Sequence, residues 1–535
     1  MSAKHLTDIY SIGNAFTKIG SNFLQIQTKN AQWFYKTSNW RLSLTYQQSH
    51  PSPSSSPPQN IPRELEKVTN PLDESLNVKP NSEIIINKSY IHQEPINETR
   101  ENNQQNVLQM SKIPTSRIVS LGLAVGLGVG AMGEVIRRAT GTSSIQGGSV
   151  LISEANINRL VNKLSRMRGA ALKLGQMINN DILPTQLEKV LMRVQNSANY
   201  MPYWQMEKVM INELGTDWRD NFKNFEPFPI AAASIGQVHS ARISKPPYMP
   251  VAIKVQYPGI AASIDSDMNN LRTLVIVSNL LPKGLYLDNT IKVARRELAW
   301  ETDYVREAEC MEKFESLLKD DKDFVVPKVV KEFTTRMVLT SEKMMGEPLT
   351  NAVNYSQELR DQISEKVLRL CLRELFEFKY MQTDPNWTNF FYNVKTRKIE
   401  LVDFGASREF DSKFVDSYLQ ILKSATKRDR EGCIHYSEQL GFLTGYETEV
   451  MRNAHVDSIL TLGEPFSTNI YDFSKQTVTR RVKDLIPTML KYRLTPPPDA
   501  TYSLHRKLSG VFLLCAKLGA KVKCRNIFED VVGEI

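Results

Sequence analysis

The period of the apolar positions changes several times along the chain, and each change marks a candidate element. Residues 153–179 place Leu160, Leu164, Met167, Ala171, Leu174 and Ile178 on one stripe, with Ser153 as N-cap and Glu154 in the first turn, which predicts an amphipathic helix. Lys173 lies on its opposite face and shares that face with Gln176 at i+3, while Gly175 between them lowers helix propensity. From about residue 225 the pattern shifts to short β-type runs. The clearest is Val251-Ala-Ile-Lys254-Val, in which one lysine interrupts an otherwise apolar strand and calls for an anion. Residues 290–318 read as one charged helix carrying Glu297, Glu301, Asp303 and Glu307; as a regular helix it puts Asp303 and Glu307 on one face and Glu301 about 120° away from Glu307. Near the C-terminus Leu504, Leu508, Val511, Phe512, Cys515 and Leu518 form an amphipathic helix with Arg506, Lys507, Lys517 and Lys521 outside the stripe. Core packing in a helical lobe accounts for it better than a lipid-contacting surface.

The first third of the chain follows other rules. Residues 118–133 carry no charge, and Gly122, Gly126 and Gly130 fall on one helical face as in small-xxx-small membrane helix pairs, so residues 117–138 are expected to be a membrane helix that pairs the protein as a homodimer. Arg117, Arg137 and Arg138 flank it on both sides and leave its orientation open. Residues 51–116 hold nine of the 26 prolines and nine asparagines, a linker that cannot bury enough apolar surface to order itself. Residues 1–50 carry Lys4, Lys18, Lys29, Lys36 and Arg41 against Asp8 alone, the acid-poor pattern of an organelle transit peptide, with mitochondria as the expected address. That segment supplies four units of the net charge of +9; with no dense Lys/Arg run elsewhere, the sequence gives no basis for a nucleic-acid partner. The five cysteines are widely spaced, without C-x-x-C pairs, and read as reduced structural residues; no His cluster has metal-ligand spacing.

The chemistry is concentrated in four elements in order. Lys254 lies in a Val-Ala-Ile-Lys strand. Asp384 precedes Asn389 by five positions, and Asp403-Phe404-Gly405 begins 14 residues after Asn389. Phosphoryl transfer needs this set: an Asn and an Asp holding Mg²⁺ against the phosphates, a lysine neutralising their oxygens, and an Asp orienting the nucleophile. A kinase also needs a helix acid to hold the lysine, and several are available in residues 290–318.

These residues resemble the UbiB-type atypical kinase-like family that supports coenzyme Q (ubiquinone) biosynthesis, and within it the mitochondrial branch. The resemblance runs from about Gly169 to the C-terminus. It rests on Lys173-Leu-Gly175-Gln176 (K-x-G-Q), the Ala-rich loop from Ala231 to His239, Lys254, Glu301-Thr-Asp303 (E-x-D), Thr383-Asp384 to Asn389, and Asp403-Phe404-Gly405. It implies that Glu307 partners Lys254 and that the K-x-G-Q helices fold over the cleft, with Lys173 directed to Glu301 and Asp303. It also implies ATPase activity stimulated by membrane lipid and quinone precursors.

Departures from ordinary protein kinases bear on mechanism. Gln382-Thr383-Asp384 replaces His-Arg-Asp, no Ala-Pro-Glu follows Asp403, and Ala231-Ala232-Ala233-Ser234 stands where a glycine-rich phosphate loop would be. Each Cβ there restricts the backbone freedom and close phosphate approach that glycine allows. The expected fold is α+β: a two-lobed kinase-like fold with a helical N-terminal extension (150–222), a strand-rich N-lobe (223–346) with Met345 at a nucleotide-contacting hinge, and a C-lobe (347–535). The expected cofactors are ATP/ADP and Mg²⁺. The expected partners are the coenzyme Q biosynthetic proteins and inner-membrane lipid, with the kinase-like domain on the matrix side.

Overall fold

The computed structural model describes residues 200–278 and 286–534. The expected transit peptide, linker, membrane helix, and Lys173, Gly175 and Gln176 lie outside the described residues. Among the described residues, no helix is long and apolar enough to cross a membrane.

The first described helix, α1 (Tyr203–Leu214), packs Met206, Val209 and Met210 beneath an antiparallel sheet. Its strands are β1 (Phe222–Lys223), β2 (Ala231–Ala232), β3 (Gly236–Ile243), β4 (Pro250–Gln256) and β6 (Val338–Glu342), in the order β1-β3-β4-β6, with β2 also paired to β3. The two-residue period of β4 decides which face each side chain takes: Val251, Ile253 and Val255 are fully buried against Trp218, Phe222 and Phe333, and Lys254 turns to the opposite face. Register fixes Lys254 opposite Val238 on β3 and Leu339 on β6.

Between β4 and β6 the chain forms α2 (Ile260–Ser278), α3 (Leu287–Glu301), α4 (Tyr304–Leu317) and β5 (Phe324–Val325), so the N-lobe is less strand-rich than its sequence suggests. The long helix expected over residues 290–318 is broken between α3 and α4. Gln256 Nε2 of β4 donates to the Thr302 carbonyl at 2.9 Å, and Asp303 becomes the N-cap of α4, accepting from the Arg306 amide at 3.3 Å. The shared face assigned to Asp303 and Glu307 is therefore corrected: Asp303 caps the helix and Glu307 lies in its first turn.

A second sheet, β5-β10-β9-β7, combines β7 (Glu347–Pro348), β9 (Phe390–Asn393) and β10 (Lys398–Leu401), with β5 parallel to β10. Below it lie α5 (Gln357–Phe376), α6 (Ser412–Thr426), α7 (Arg430–Leu440), α8 (Glu449–Gly463), α9 (Val478–Tyr492), α10 (Asp499–Lys517) and α11 (Cys524–Val532). Ser356, Asp411, Asp429 and Thr448 cap α5 to α8 through their side chains. Two short pairs complete the lobe: β8 (Tyr380–Gln382) with β11 (Ser407–Glu409), and β12 (Tyr471–Asp472) with β13 (Lys521–Val522). One apolar cluster runs from Met311 and Phe314 of α4 through α5 to α10 and α11. It includes Leu504, Leu508, Val511, Phe512, Cys515 and Leu518, so the last amphipathic stripe is core. Arg506 and Lys507, expected outside it, are instead buried against acids, with side chains 10% and 2% exposed. All five cysteines are free and buried.

Candidate active site

Lys254 leaves β4 on the cleft face, and Glu307 leaves the first turn of α4 towards it. Lys254 Nζ donates to both Glu307 oxygens at 2.8 and 2.9 Å and reaches Asp403 Oδ2 at 3.4 Å. Its ammonium also lies 5.1 Å from the centre of the buried Tyr304 ring. Burial alone would lower the Lys254 pKa, but the carboxylates of Asp403 and then Glu307 outweigh it and hold the ammonium well above its ordinary value. Burial pushes the Glu307 carboxyl the other way, up to about 7, against the pull of Lys254. Lys254 is therefore the firmly protonated member of the pair, and Glu307 is the member that acid would discharge.

Asp403 follows β10 and accepts from the Gly405 amide at 3.0 Å through Oδ1. Phe404 is buried and its ring sits 5.2 Å from that of Phe314, which joins this segment to the helix carrying Glu307. A Cβ at Gly405 would meet Glu307 Oε2 at 3.4 Å, Asp403 Oδ1 at 3.5 Å and Glu301 Cγ at 3.6 Å, ordinary contact distances that place the glycine among acidic side chains. Three acids thus meet around one glycine. Asp303 caps α4, and its Oδ2 lies 3.7 Å from Arg336 Nη2.

Asp384 follows β8. Its Oδ2 accepts from Asn389 Nδ2 at 3.0 Å and its Oδ1 from the Asn386 amide at 3.2 Å, so the five-residue spacing closes a small polar loop. Thr383 Oγ1 and N both donate to the Ala406 carbonyl, at 2.8 and 3.2 Å, which ties this loop to the Asp403 segment. The oxygens of Asp403 and the amide oxygen of Asn389 are hard donors that fit Mg²⁺ completed by phosphate and water. Among the described residues, no three His, Cys, Asp or Glu side chains form a metal cluster by themselves.

Ala231 and Ala232 form the β2 half of a hairpin with β3, and Ala233 N donates to the Gly236 carbonyl at 2.8 Å. None of residues 231–236 takes a positive φ, so the alanines sit in backbone that tolerates a Cβ. Gly236 is different in kind: a Cβ would lie 2.6 Å from both the Tyr304 hydroxyl and the Val255 carbonyl, so only glycine lets the hairpin press against β4. Ser234 closes the hairpin half-buried. Met345 is 72% exposed beside Gly346, whose amide donates to Glu400 Oε2 at 2.7 Å.

Sequence reasoning missed three cations. Arg306 stacks on Trp300 at 4.6 Å and donates to the carbonyls of Gly405 and Ser407. Arg506 and Lys507 pair with Glu297 and Glu374 behind the Asp384 loop. No spacing rule identifies them, because their partners come from distant elements.

A lysine on a central strand ion-paired to a helix acid, facing an Asp-Phe-Gly segment and an Asp/Asn pair from the other lobe, defines the protein-kinase-like class. Comparison with known proteins narrows the class. The ABC1 atypical kinase-like domain matches residues 193–437. The chain is 50% identical over 449 residues to the mitochondrial atypical kinase COQ8 of Saccharomyces cerevisiae, covering 82% of this chain and 89% of that protein. It is 49% identical over 432 residues to the mitochondrial atypical kinase COQ8B of Danio rerio, covering 78% and 69%. Rv3197 of Mycobacterium tuberculosis, solved in complex with erythromycin, has a like fold, with a TM-score of 0.52 at 22% identity over 71% of this chain and 97% of that one. The chain belongs to the ABC1, or UbiB-type, atypical kinase-like family, in the branch of the mitochondrial COQ8 kinases, a family of ATP-using phosphoryl-transfer enzymes.

Proposed function

We propose that this chain turns over ATP in support of coenzyme Q biosynthesis at the inner mitochondrial membrane, coupling hydrolysis to assembly of the biosynthetic proteins or to access of quinone precursors. The observation that carries this reading is the convergence of Lys254, Glu307 and Asp403 within 3.4 Å, facing a hydrogen-bonded Asp384–Asn389 pair, in a COQ8-like chain. Lys254 neutralises phosphate oxygens and Glu307 holds it in place. Asp403 and Asn389 hold Mg²⁺, which supplies charge stabilisation for the transferring phosphoryl group. Asp384 orients the attacking hydroxyl or water and takes up its proton as the bond from the γ-phosphorus to the bridging oxygen breaks. Residues 231–234 shape the phosphate end of the site, and Met345 flanks the base. Gln382-Thr383-Asp384, lacking the His-Arg-Asp arginine that senses a phosphorylated activation loop, supports water or a small lipid over a docked peptide as acceptor. Lys173, Gly175 and Gln176 act as a lid held by Glu301 and Asp303, and residues 117–138 tether and pair the chain in the membrane.

The test is the fate of γ-labelled ATP turned over by the purified full-length chain beside inner-membrane lipid. Release of free phosphate, lost in Asp403→Asn, is expected. Label appearing only in protein or only in lipid would replace hydrolysis by a true kinase activity, and no turnover with intact nucleotide binding would leave a scaffold.

A further inference from the structure

The helix α10 carries two adjacent cations into the C-lobe interior, where a bare charge is costly unless a counter-charge and hydrogen bonds receive it. Lys507 Nζ reaches Glu374 Oε2 of α5 at 3.5 Å and donates to Gln382 Oε1 at 3.1 Å. Arg506 Nη2 donates to Glu297 Oε2 of α3 at 2.9 Å, and its Nη2 and Nε approach Thr383 Oγ1 at 3.4 Å and the Thr383 carbonyl at 3.5 Å. Both cations therefore grip consecutive residues of Gln382-Thr383-Asp384. The Thr383 carbonyl belongs to the peptide plane that carries the Asp384 amide, so whatever holds that carbonyl sets the backbone from which Asp384 projects. Glu297 lies one helical turn before Glu301 on α3, the helix that ends beside Gly405. Asp384 and Glu301 also contribute to the field that keeps the buried Arg506 charged, after Glu297.

We propose that Arg506 is the positioning residue of the Asp384 loop: its fork joins α3, through Glu297, to the Thr383 carbonyl, and supplies from a distant helix the cation that Thr383, standing where His-Arg-Asp has arginine, does not. The proposal rests on the reading of Asp384 given above and adds a coupling to it. A displacement of α3 shifts Glu297, releases the fork and lets the Asp384 peptide turn, so turnover follows the seating of α3 while the Lys254 phosphate site stays assembled. Arginine suits this place because its planar fork presents separate nitrogens in fixed geometry, Nη2 to Glu297 and Nε to the Thr383 carbonyl, whereas an ammonium offers its three donors from one atom on a flexible stem.

The experiment compares the full-length wild type with Arg506→Lys, Arg506→Ala, Glu297→Gln and Asp384→Asn by Mg·ATP turnover, ATP dissociation constant and thermal midpoint. Arg506→Lys should keep the thermal midpoint and the dissociation constant near wild type and lower kcat by about tenfold to a hundredfold, the loss expected of a misplaced catalytic group. Glu297→Gln should lower kcat in the same direction. Arg506→Ala in a Glu297→Gln background should lose little beyond Arg506→Ala alone, as members of one coupled unit do. Wild-type kcat in Arg506→Lys, with Asp384→Asn inactive, overturns the role of Arg506 and leaves the site intact. Loss of ATP affinity in proportion to kcat in Arg506→Lys overturns it also, as that marks a merely structural ion pair. Wild-type turnover by Asp384→Asn removes the reading of Asp384 and the proposal with it.

Discussion

Substituting Gly510 by alanine should separate stability from catalysis. Gly510 lies on α10 against the loop that follows Asp384: a Cβ there would stand 2.0 Å from Pro385 Cβ, 2.9 Å from Pro385 Cγ and 3.3 Å from Pro385 Cα. Ordinary carbon contacts need roughly 3.5–4 Å, so helix and loop must part by more than 1 Å. Two stability effects oppose one another. Alanine in a helix interior gains about 1 kcal/mol over glycine, and overpacking costs about 1–3 kcal/mol, which leaves a net loss of about 0–2 kcal/mol. Catalysis has no such offset, because Pro385 is bonded to Asp384 and Trp387 Nε1 donates to the Gly510 carbonyl at 3.3 Å. Moving both by about 1 Å is expected to lower kcat on the order of a hundredfold. Calorimetric melting beside steady-state phosphate release would measure the two effects in one preparation. Unchanged kcat in Gly510→Ala would refute the argument that α10 sets the position of Asp384. A collapse of the melting transition would show instead that the contact is chiefly structural.

Asp403→Asn and Lys254→Arg should each leave less than about a hundredth of wild-type ATPase with a folded protein, since one removes metal charge and the other replaces a point contact by a bulkier fork; wild-type rates in either would remove the site assignment. Ala233→Gly should change ATP or ADP affinity more than stability, because residues 231–236 hold no positive φ that glycine would relieve; identical dissociation constants by titration calorimetry would count against contact with phosphate. Buried His455, bonded to Ser437 Oγ at 3.0 Å, is depressed to about 4 by burial and then by Arg493 and His505. The unfolded chain therefore takes up a proton below about 6.5 that the fold refuses down to about 4, and stability should fall with acidification across that window by up to about 1.4 kcal/mol per pH unit. His455→Gln should flatten the slope of urea midpoint against pH, and an equal slope would assign the acid loss to other groups.

The candidate constellation was legible where residue types stand at fixed intervals, and the structure bears out its contacts: Lys254 reaches Asp403, and Asp384 pairs with Asn389. Glu307 was named only through family resemblance; periodicity alone could not choose among four acids. The break before Tyr304 was invisible because it depends on Gln256, a residue 46 positions away that takes the Thr302 carbonyl. Arg506 and Lys507 were misplaced for a related reason. A helical stripe reports which positions are apolar, and a cation buried against an acid from another helix has the same signature as one in water. The predicted membrane helix and the K-x-G-Q helix stay expectations from sequence, since they lie outside the described residues.

The placement of α10 also has a consequence for the order in which the chain is made. Synthesis delivers Lys254, Glu307, Asp384, Asn389 and Asp403 first, and the helix that seats their loop more than a hundred residues after Asp384. If α10 seats the Asp384 loop as proposed, a chain still emerging from the ribosome is expected not to spend nucleotide until Arg506, Lys507 and Gly510 have been made. A premature stop before α10 would, by the same logic, leave a polypeptide with every kinase motif in its sequence and no means of using them.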